Sequence, residues 1–563
     1  MTYRICLPRV GTLAAFAGAL VLLTASPRGA TVRFHADDPL AREPETQDAS
    51  NVQPWSIDLF WDLALNLFGK PGDPAFDVKA RNVNTLDEVP DSNWFTNRIG
   101  VRAVSIEEAA HGPLGNGAPA AGRWSVTRAK EAGVAPGFTM RDAKGELWFV
   151  SFDAKGSPDA ATGAIVVANK IFWTLGYWQV ENHVIRVRPE DLDIDASAEV
   201  RPLSGKRRRM KRDDVDDVLR AAHRSADGSY RAVAARAVPG RVLGGFRYHG
   251  TRPDDPNDVV PHEHRRELRA LKVFGAWANL VDMKAGNTLD TLIADNGRNV
   301  VRHYLQDVGS TFGTGALGPH DYDEGWEHLV DGGPLWKRLV TVGFYLQPWQ
   351  IAPYADNDSI GRFEGAYFEP RRWKPRVPTA ALRHARGDDT FWAARRVIAF
   401  SDEMIRAIAE TGRYHDESAA RLLADILIQR RDRIAHTYLA AVNPVVNLAL
   451  GPDGVLSFEN AAVTAAVAAE PSQGYIVHWA AFDNTTGQAT ALGSPTATTG
   501  RQAQAPVALP SSPGSFVNVQ IAAAAPEHPS WAVPVEAYFR RDTTGWTLVG
   551  LDRLPRRAEG GTQ

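Results

Sequence analysis

The stretch Trp277–Thr311 holds three polar side chains at spacings that constrain how this part of the chain can fold. Asp282 and Asn287 are separated by four residues. An apolar run then leads to the Asn-Gly pair at 296–297, and a second apolar run leads on to Asp307. Asn-Gly between two apolar runs is a strong signal for a two-residue β-hairpin. A hairpin here would return the chain, so we expect Asp307 to lie beside Asp282 and Asn287.

These side chains suit the binding of a hard cation. Carboxylate and amide oxygens are the ligands that Mg²⁺ prefers, so Asn287 and Asp307 are candidate metal ligands. Asp282 is a candidate to accept or orient the proton of a hydroxyl. Gly309, two residues after Asp307, would allow the backbone to turn there. The alternative is that these are polar loop residues around an ordinary hairpin.

The first 30 residues have the pattern of an export signal. Arg4 and Arg9 precede the apolar run Val10–Leu23, and small residues follow it. An uncleaved anchor is the alternative, although the run is short for a membrane span. We therefore expect an exported protein, periplasmic or extracellular, with no membrane contact beyond this segment. The only cysteine, Cys6, lies in the leader, so the processed chain would have no disulfide.

Charge and length limit the remaining classes. The formal net charge of −3 gives no bulk electrostatic case for binding nucleic acid or an anionic membrane. A chain of 563 residues is long enough for two or three domains. Residues 31–119 begin with a polar segment and a short amphipathic helix expected over Ile57–Phe68. They predict an N-terminal arm that packs on the domain after it.

Residues 120–250 predict three strands, then a helix over 159–175, then further strands. The loop between the first two strands carries Gly133 and Gly137. Bare backbone N–H groups in such a loop can approach a phosphate, although most two-glycine loops are simply turns. Residues 251–442 are mainly helical. Residues 443–563 alternate in short runs divided by turn formers, which is typical of a small β-sandwich.

The order of these elements and motifs resembles the atypical kinase-like superfamily that includes HipA-type kinases, CotH-type kinases and the phosphatidylinositol kinases. The stretches EVPDSNWFTNR and FRYHGTRPDDPNDVVPHEHRREL are also similar to a group of exported bacterial proteins. The resemblance implies an α+β fold with a two-lobed kinase-like domain, its N-lobe at 120–250 and its C-lobe at 251–442. It implies Asp282 as the catalytic residue, Asn287 and Asp307 as metal ligands, and ATP with Mg²⁺ between the lobes.

Two positions depart from the family pattern. The third strand should end with a lysine that grips the nucleotide phosphates, and this chain has Ser151 there. The helix after it should carry a glutamate that pairs with that lysine, and the matching position is Ile165. The two losses fit each other, because a buried glutamate without its lysine would be an unpaired charge. Five cationic side chains are candidate replacements: Lys130, Lys155, Lys170, Arg236 and Arg241.

Three functions stay open from the sequence. The first is a Mg-nucleotide-dependent phosphotransferase, with Gly133, Gly137 and Ser151 beside the nucleotide. Alternatively it is a pseudokinase that serves as a binding or scaffold module for a protein partner. The third alternative is a cell-envelope-binding protein that acts through its C-terminal β domain. Whether the chain is an enzyme is left undecided by the sequence.

Overall fold

The computed structural model describes residues 32–130, 134–201, 205–341, 344 and 346–554. The expected leader at 1–30 and the loop residue Gly133 lie outside these residues. The described chain is a mixed α+β protein with several separate sheets, as the sequence predicts. None of the described helices combines the length and the apolar character that a membrane span requires.

The N-terminal arm is largely irregular and is held by aromatic contacts. Its helices are α1 (Leu59–Ala64), which continues as a π-helical turn over Leu65–Gly69, and α2 (Ile106–His111). Trp94 stacks on His303 with ring centroids 3.6 Å apart. Phe95 lies over Gly176, where an added Cβ would come within 2.2 Å of the ring. The helix expected over Ile57–Phe68 is present as a continuous helical stretch over 59–69, and most of its large apolar side chains are exposed.

A seven-stranded sheet follows the arm. Its strands are β1 (Trp124–Ala129), β2 (Gly137–Arg141), β3 (Leu147–Phe152), β4 (Asn182–Val187), β5 (Leu192–Val200), β6 (Arg208–Arg209) and β7 (Tyr230–Arg236). Their order is β4-β7-β3-β2-β1-β5-β6, and β1 is parallel to β5. Helix α3 (Ala160–Leu175) connects β3 to β4, and α4 (Arg212–Ala221) precedes β7. The meander and the helix predicted for this region are therefore present.

A smaller sheet and a helical layer come next. The sheet contains β8 (Arg241–Gly244), β9 (Leu289–Asp295) and β10 (Arg298–Tyr304), followed by the short pair β11 (Thr314–Gly315) and β12 (Gly318–Pro319). The helices are α5 (Arg266–Ala278), α6 (Gly332–Val340), α7 (Ala380–Arg383), α8 (Gly387–Val397), α9 (Asp402–Glu410) and α10 (Glu417–Tyr438). Apolar side chains at helical spacing bury α5 in the core between α8 and α10.

Two arginines of α5, Arg266 and Arg269, are also buried, and they are paired. Arg266 lies within 3.2 Å of Asp388 and 2.9 Å of Asp389, and Arg269 lies 3.1 Å from Asp389. Buried charges require such partners, because an unpaired charge would be costly to remove from water. The pairs fix α5 against α8, and α5 delivers the chain to Asp282.

The C-terminal part forms two antiparallel sheets. Its strands are β13 (Val445–Leu450), β14 (Val455–Asn460), β15 (Tyr475–Phe482), β16 (Ala489–Ala491), β17 (Thr496–Thr498), β18 (Gln502–Gln504), β19 (Phe516–Ala523), β20 (Val535–Arg541) and β21 (Trp546–Asp552). Helix α11 (Ala461–Thr464) follows β14. Buried residues alternate along β15, which agrees with the predicted period of two. The apolar residues of these sheets join the same core as the helices.

Candidate functional site

The loop that carries Asp282 is clamped by backbone hydrogen bonds on both sides. Helix α5 ends at Asn279, whose φ of 53° turns the chain away from the helix axis. The N–H of Val281 donates to the carbonyl of Ser310 at 3.2 Å. The carbonyl of Val281 accepts from the N–H of Arg376 at 2.9 Å. Asp282 follows directly, so its backbone has little freedom to move.

The hairpin returns the chain as the sequence predicts. Strands β9 and β10 pair in register from Arg298 with Asp295, and both residues of the turn, Asn296 and Gly297, have positive φ. After the hairpin, the N–H of Asp307 donates to the carbonyl of Asn287 at 3.0 Å. The geometric expectation that the hairpin brings Asp307 back to this loop is thus confirmed.

The side chain of Asn287 joins it to Asp282. Its Nδ2 donates to the carbonyl of Asp282 at 2.7 Å and to the Asp282 carboxylate at 3.1 Å. Because the nitrogen is engaged in this way, the amide oxygen faces away from Asp282. Asp282, Asn287 and Asp307 therefore form one cluster, here called the acidic side.

The donor set of the acidic side fits Mg²⁺. The Asp307 Oδ1 atom accepts from the N–H of Gly309 at 3.0 Å. No hydrogen bond within the described chain engages Asp307 Oδ2 or Asn287 Oδ1. No group of three or more His, Cys, Asp or Glu side chains among the described residues could hold a metal ion. One carboxylate and one amide oxygen suit Mg²⁺ shared with water and substrate phosphates, which is its usual coordination in nucleotide sites.

A lysine in the same loop was missed by the sequence reasoning. The Lys284 ammonium lies 2.7 Å from the Asp282 carboxylate. The sequence signal that could have identified Lys284 is its position two residues after Asp282, which places both side chains on one short loop. Together with Asn287, Lys284 holds the orientation of the Asp282 carboxylate.

A buried histidine supports the loop from behind. His320 Nε2 lies 2.9 Å from the hydroxyl of Ser310, whose carbonyl binds Val281. Burial lowers the pKa of His320 to about 3; the Arg376 charge adds to this effect and Asp282 opposes it. The imidazole is consequently neutral at pH 7. Nothing in the local sequence pattern marked His320, because its contacts come from the fold.

A second group of residues, here called the basic side, contains Lys130, Gly137 and Ser151. Ser151 on β3 pairs with Gly137 on β2. The Lys130 ammonium donates to the Ser151 hydroxyl at 3.3 Å. A Cβ on Gly137 would come within 2.3 Å of the Val150 carbonyl and 3.4 Å of Lys130 Cδ. Glycine at 137 thus lets the strands and the lysine stem approach each other.

The charge of the acidic side affects the pKa of Lys130. Desolvation lowers the pKa of Lys130, and the charge of Asp307 opposes that shift. The Lys130 residue is solvent-exposed. It is a cation that contacts Ser151, and the charge of Asp307 acts on its pKa.

Three of the four other candidate cations have different partners. Lys170 donates to the carbonyl of His111 at 2.9 Å, and burial lowers its pKa to about 8. Arg236 lies 2.7 Å from Glu146 and 3.1 Å from Glu181. Arg241 donates to the carbonyl of Val52 at 2.6 Å. Lys130 is therefore the candidate with a contact to Ser151.

Ile165 occupies the position where the family would have glutamate. A Cβ on Gly309 would meet Ile165 Cγ1 at 2.7 Å, so α3 packs its isoleucine directly on the Asp307–Gly309 turn. The expected location of residue 165, beside the site, is correct. The contact between them is apolar instead of an ion pair.

Comparison with known proteins adds little to this geometry. No protein-family model matches the chain, and no curated protein matches it. Among solved structures, the chain is similar to "Crystal structure of the golgi casein kinase", with 9% sequence identity. That match covers 71% of this chain and 96% of the other, with a TM-score of 0.27. A TM-score this low supports no assignment, so the function is argued from the site alone.

Proposed function

We propose that this chain is a kinase-like protein that binds a Mg-nucleotide between the acidic side and the basic side. In this proposal the seven-stranded sheet with α3 is the first lobe, and α5 with the later helices is the second. The observation that carries the proposal is the position of Lys130, 3.3 Å from Ser151 and electrostatically coupled to Asp307. It supplies a cation where the strand lysine is missing.

Each residue then has a stated task. Lys130 neutralises charge on the nucleotide phosphates, and Gly137 allows their close approach to the backbone. Asn287 and Asp307 hold the metal through oxygen, and Mg²⁺ would neutralise phosphate charge when bound. Asp282, oriented by Lys284 and Asn287, accepts the proton of an acceptor hydroxyl.

A nucleotide-binding pseudokinase is the second candidate. The apolar contact of Ile165 with Gly309 favours it, since no carboxylate at 165 holds Lys130 in one position. We also propose that the protein is exported, whether it is a phosphotransferase or a pseudokinase, because residues 1–30 have the sequence pattern of an export signal.

Thermal unfolding of the full chain with ATP tests nucleotide binding. A ligand that binds only the folded state stabilises it by about 2.7 kcal/mol at one hundred times its Kd. We expect the melting temperature to rise with ATP and Mg²⁺ together and to rise less with ATP and a chelator. No rise at millimolar Mg-ATP would refute the proposal.

Transfer of the terminal phosphate separates the two candidates. The chain is incubated with ATP labelled at that phosphate, and label in protein or released phosphate is measured. Transfer that Asp282→Ala abolishes identifies a phosphotransferase. Binding without transfer, equal in the wild type and Asp282→Ala, identifies the pseudokinase.

A further inference from the structure

The larger C-terminal sheet carries an aromatic cluster that is separate from the main core. The cluster consists of Phe482 on β15, Phe516 on β19, Tyr538 on β20 and Val549 on β21. The residues on either side of Tyr538 along β20 belong to the main core instead. Successive side chains of a strand point to opposite faces of a sheet, so the cluster lies on the face that is turned away from the core.

Phe34, from the other end of the chain, lies over this cluster. Its ring centroid is 5.1 Å from that of Tyr538 and 6.1 Å from those of Phe482 and Phe516, and the residue is only 5% exposed. A Cβ on Gly550 would come within 2.4 Å of Phe34 Cε1, so glycine at 550 leaves the space that the ring occupies. In the described chain, all other members of the cluster come from the C-terminal sheet. The ring therefore fills a pocket of that sheet.

One asparagine binds both main-chain groups of Phe34. Asn484 lies in the turn after β15, and its Oδ1 accepts from the Phe34 N–H at 2.8 Å while its Nδ2 donates to the Phe34 carbonyl at 2.8 Å. The Asn484 carbonyl also accepts from the Arg33 N–H at 3.0 Å. The carboxylate of Asp483 accepts from two N–H groups later in the same turn, at 2.8 and 3.0 Å, and so fixes the turn. The asparagine is thus held in place to bind an extended backbone.

Charged side chains of the same sheet hold the residues before and after Phe34. The Arg33 guanidinium lies 2.9 Å from the Asp552 carboxylate, and its carbon lies 4.1 Å from the centroid of the Tyr538 ring. Arg540 donates to the carbonyls of the two residues that follow Phe34, at 3.1 and 3.3 Å. The C-terminal sheet therefore contacts four consecutive residues, 33–36, here called the docked peptide.

A short turn joins the docked peptide to the rest of the arm. The N–H of His35 donates to the Asp38 carboxylate at 2.7 Å, and the N–H of Asp38 donates back to the His35 carbonyl at 3.3 Å. Contacts with the arm resume at Leu40, whose carbonyl accepts from Asn84 at 2.9 Å. Lys79 of the arm shares Asp552 with Arg33, at 2.5 Å. The docked peptide is therefore tied closely to the surface on which it lies.

We propose that this face of the C-terminal sheet is a binding site for an extended peptide with an Arg-Phe pair, and that residues 33–36 occupy it in cis. Hydrogen bonds to the main chain hold such a peptide, and pockets for its side chains give selectivity. Here the aromatic cluster selects phenylalanine, while Asp552 and the Tyr538 ring select arginine. The short link keeps the effective concentration of the docked peptide high, so a second peptide binds only when the docked peptide leaves. The site is separate from the proposed nucleotide site.

Emptying the pocket in the full chain tests this proposal. Phe34→Ala removes the ring and leaves the residues of the pocket unchanged. A fluorescent peptide with the sequence of residues 32–36, VRFHA, is titrated into the variant and into the wild type, and fluorescence anisotropy measures binding. The control is the same peptide with alanine in place of phenylalanine.

We expect the VRFHA peptide to bind Phe34→Ala at least tenfold more tightly than the control peptide does, and at least tenfold more tightly than it binds the wild type. Adding Asn484→Ala should abolish this binding. The peptide should also raise the melting temperature of Phe34→Ala and leave that of the wild type unchanged, because a ligand stabilises the folded state that it binds. No binding to Phe34→Ala, or equal binding of the two peptides, overturns the proposal.

A second variant keeps the test available if Phe34→Ala does not fold. Arg33→Ala changes a side chain that is 39% exposed and weakens the docked peptide without emptying the pocket. The fluorescent peptide should therefore displace the docked peptide at least threefold more readily in Arg33→Ala than in the control His35→Ala. No hydrogen bond within the described chain engages the exposed His35 side chain. Displacement that is no easier in Arg33→Ala than in His35→Ala also overturns the proposal.

Discussion

The acidic side and the basic side of the cleft are built in different ways. Asp282, Asn287 and Asp307 come from one stretch of about 30 residues, joined by backbone bonds and a hairpin. Lys130 directly follows β1, Ser151 lies on β3 and Ile165 lies on α3, so only tertiary packing brings these residues together. In the proposed function, the acidic side supplies the metal ligands, and the basic side supplies its cation from Lys130, directly after β1, instead of from β3.

The largest effect should come from the acidic side. Asp307→Asn removes the carboxylate that we assign to the metal, so Mg-dependent nucleotide affinity should fall by about 100-fold or more. Titration calorimetry with Mg-ATP measures this loss. The matched control is Asp356→Asn at an exposed aspartate, which should bind like the wild type. Unchanged affinity in Asp307→Asn would remove this residue from the site.

The contact between the two sides gives the next effect, on stability. Gly309→Ala places a Cβ 2.7 Å from Ile165 Cγ1 and should lower the free energy of unfolding by about 1–3 kcal/mol. Denaturant unfolding measures the change. Gly115→Ala is the control, because no atom lies within 4 Å of its added Cβ.

A double substitution tests whether that cost comes from the contact. In an Ile165→Ala background, Gly309→Ala should cost less than it does alone, since the two residues touch. Additive costs would show that α3 does not press on the turn after Asp307.

The smallest effect concerns pH. Desolvation lowers the pKa of Lys130, so in the free protein its ammonium is lost at lower pH than the ordinary lysine value of 10.5. Nucleotide affinity should be full below that lowered pKa and should decline by a few-fold as the pH rises through it. Lys130→Arg stays charged over this range, so its affinity should not decline there. A parallel decline in both proteins would assign the titration to another group.

The sequence predicted the acidic side more completely than the basic side. The hairpin at 296–297 and the return of Asp307 were predicted correctly, because turn chemistry and spacing are local properties. The strands and the helix around Ser151 and Ile165 were also predicted. The sequence therefore showed that these two positions lack the lysine–glutamate pair of the family pattern. The sequence could not identify Lys130 as the cation beside Ser151, because this depends on which side chain the fold directs toward Ser151. Lys155, Lys170, Arg236 and Arg241 were equally possible from the sequence.

Two other features could not be predicted from the local sequence pattern. The N-terminal arm was predicted to pack on the domain after it, yet Phe60 in the helix of this arm is 80% exposed. Hydrophobic periodicity shows that a helix has an apolar side, but it does not show what covers that side. His320 could not be identified for the same reason, since its hydrogen bond with Ser310 and the nearby charge of Arg376 arise only in the folded chain.

The most direct test of the account is to move the cation of the basic side from position 130 to position 151. Mg-ATP affinity is measured for the wild type, Lys130→Ser, Lys155→Ser and the exchange Lys130→Ser/Ser151→Lys. A charged hydrogen bond contributes about 1.5–3 kcal/mol, so Lys130→Ser should weaken binding by about 10- to 100-fold. Lys155→Ser should bind normally, and the exchange should recover at least half of the lost binding free energy. Wild-type affinity in Lys130→Ser would contradict the account.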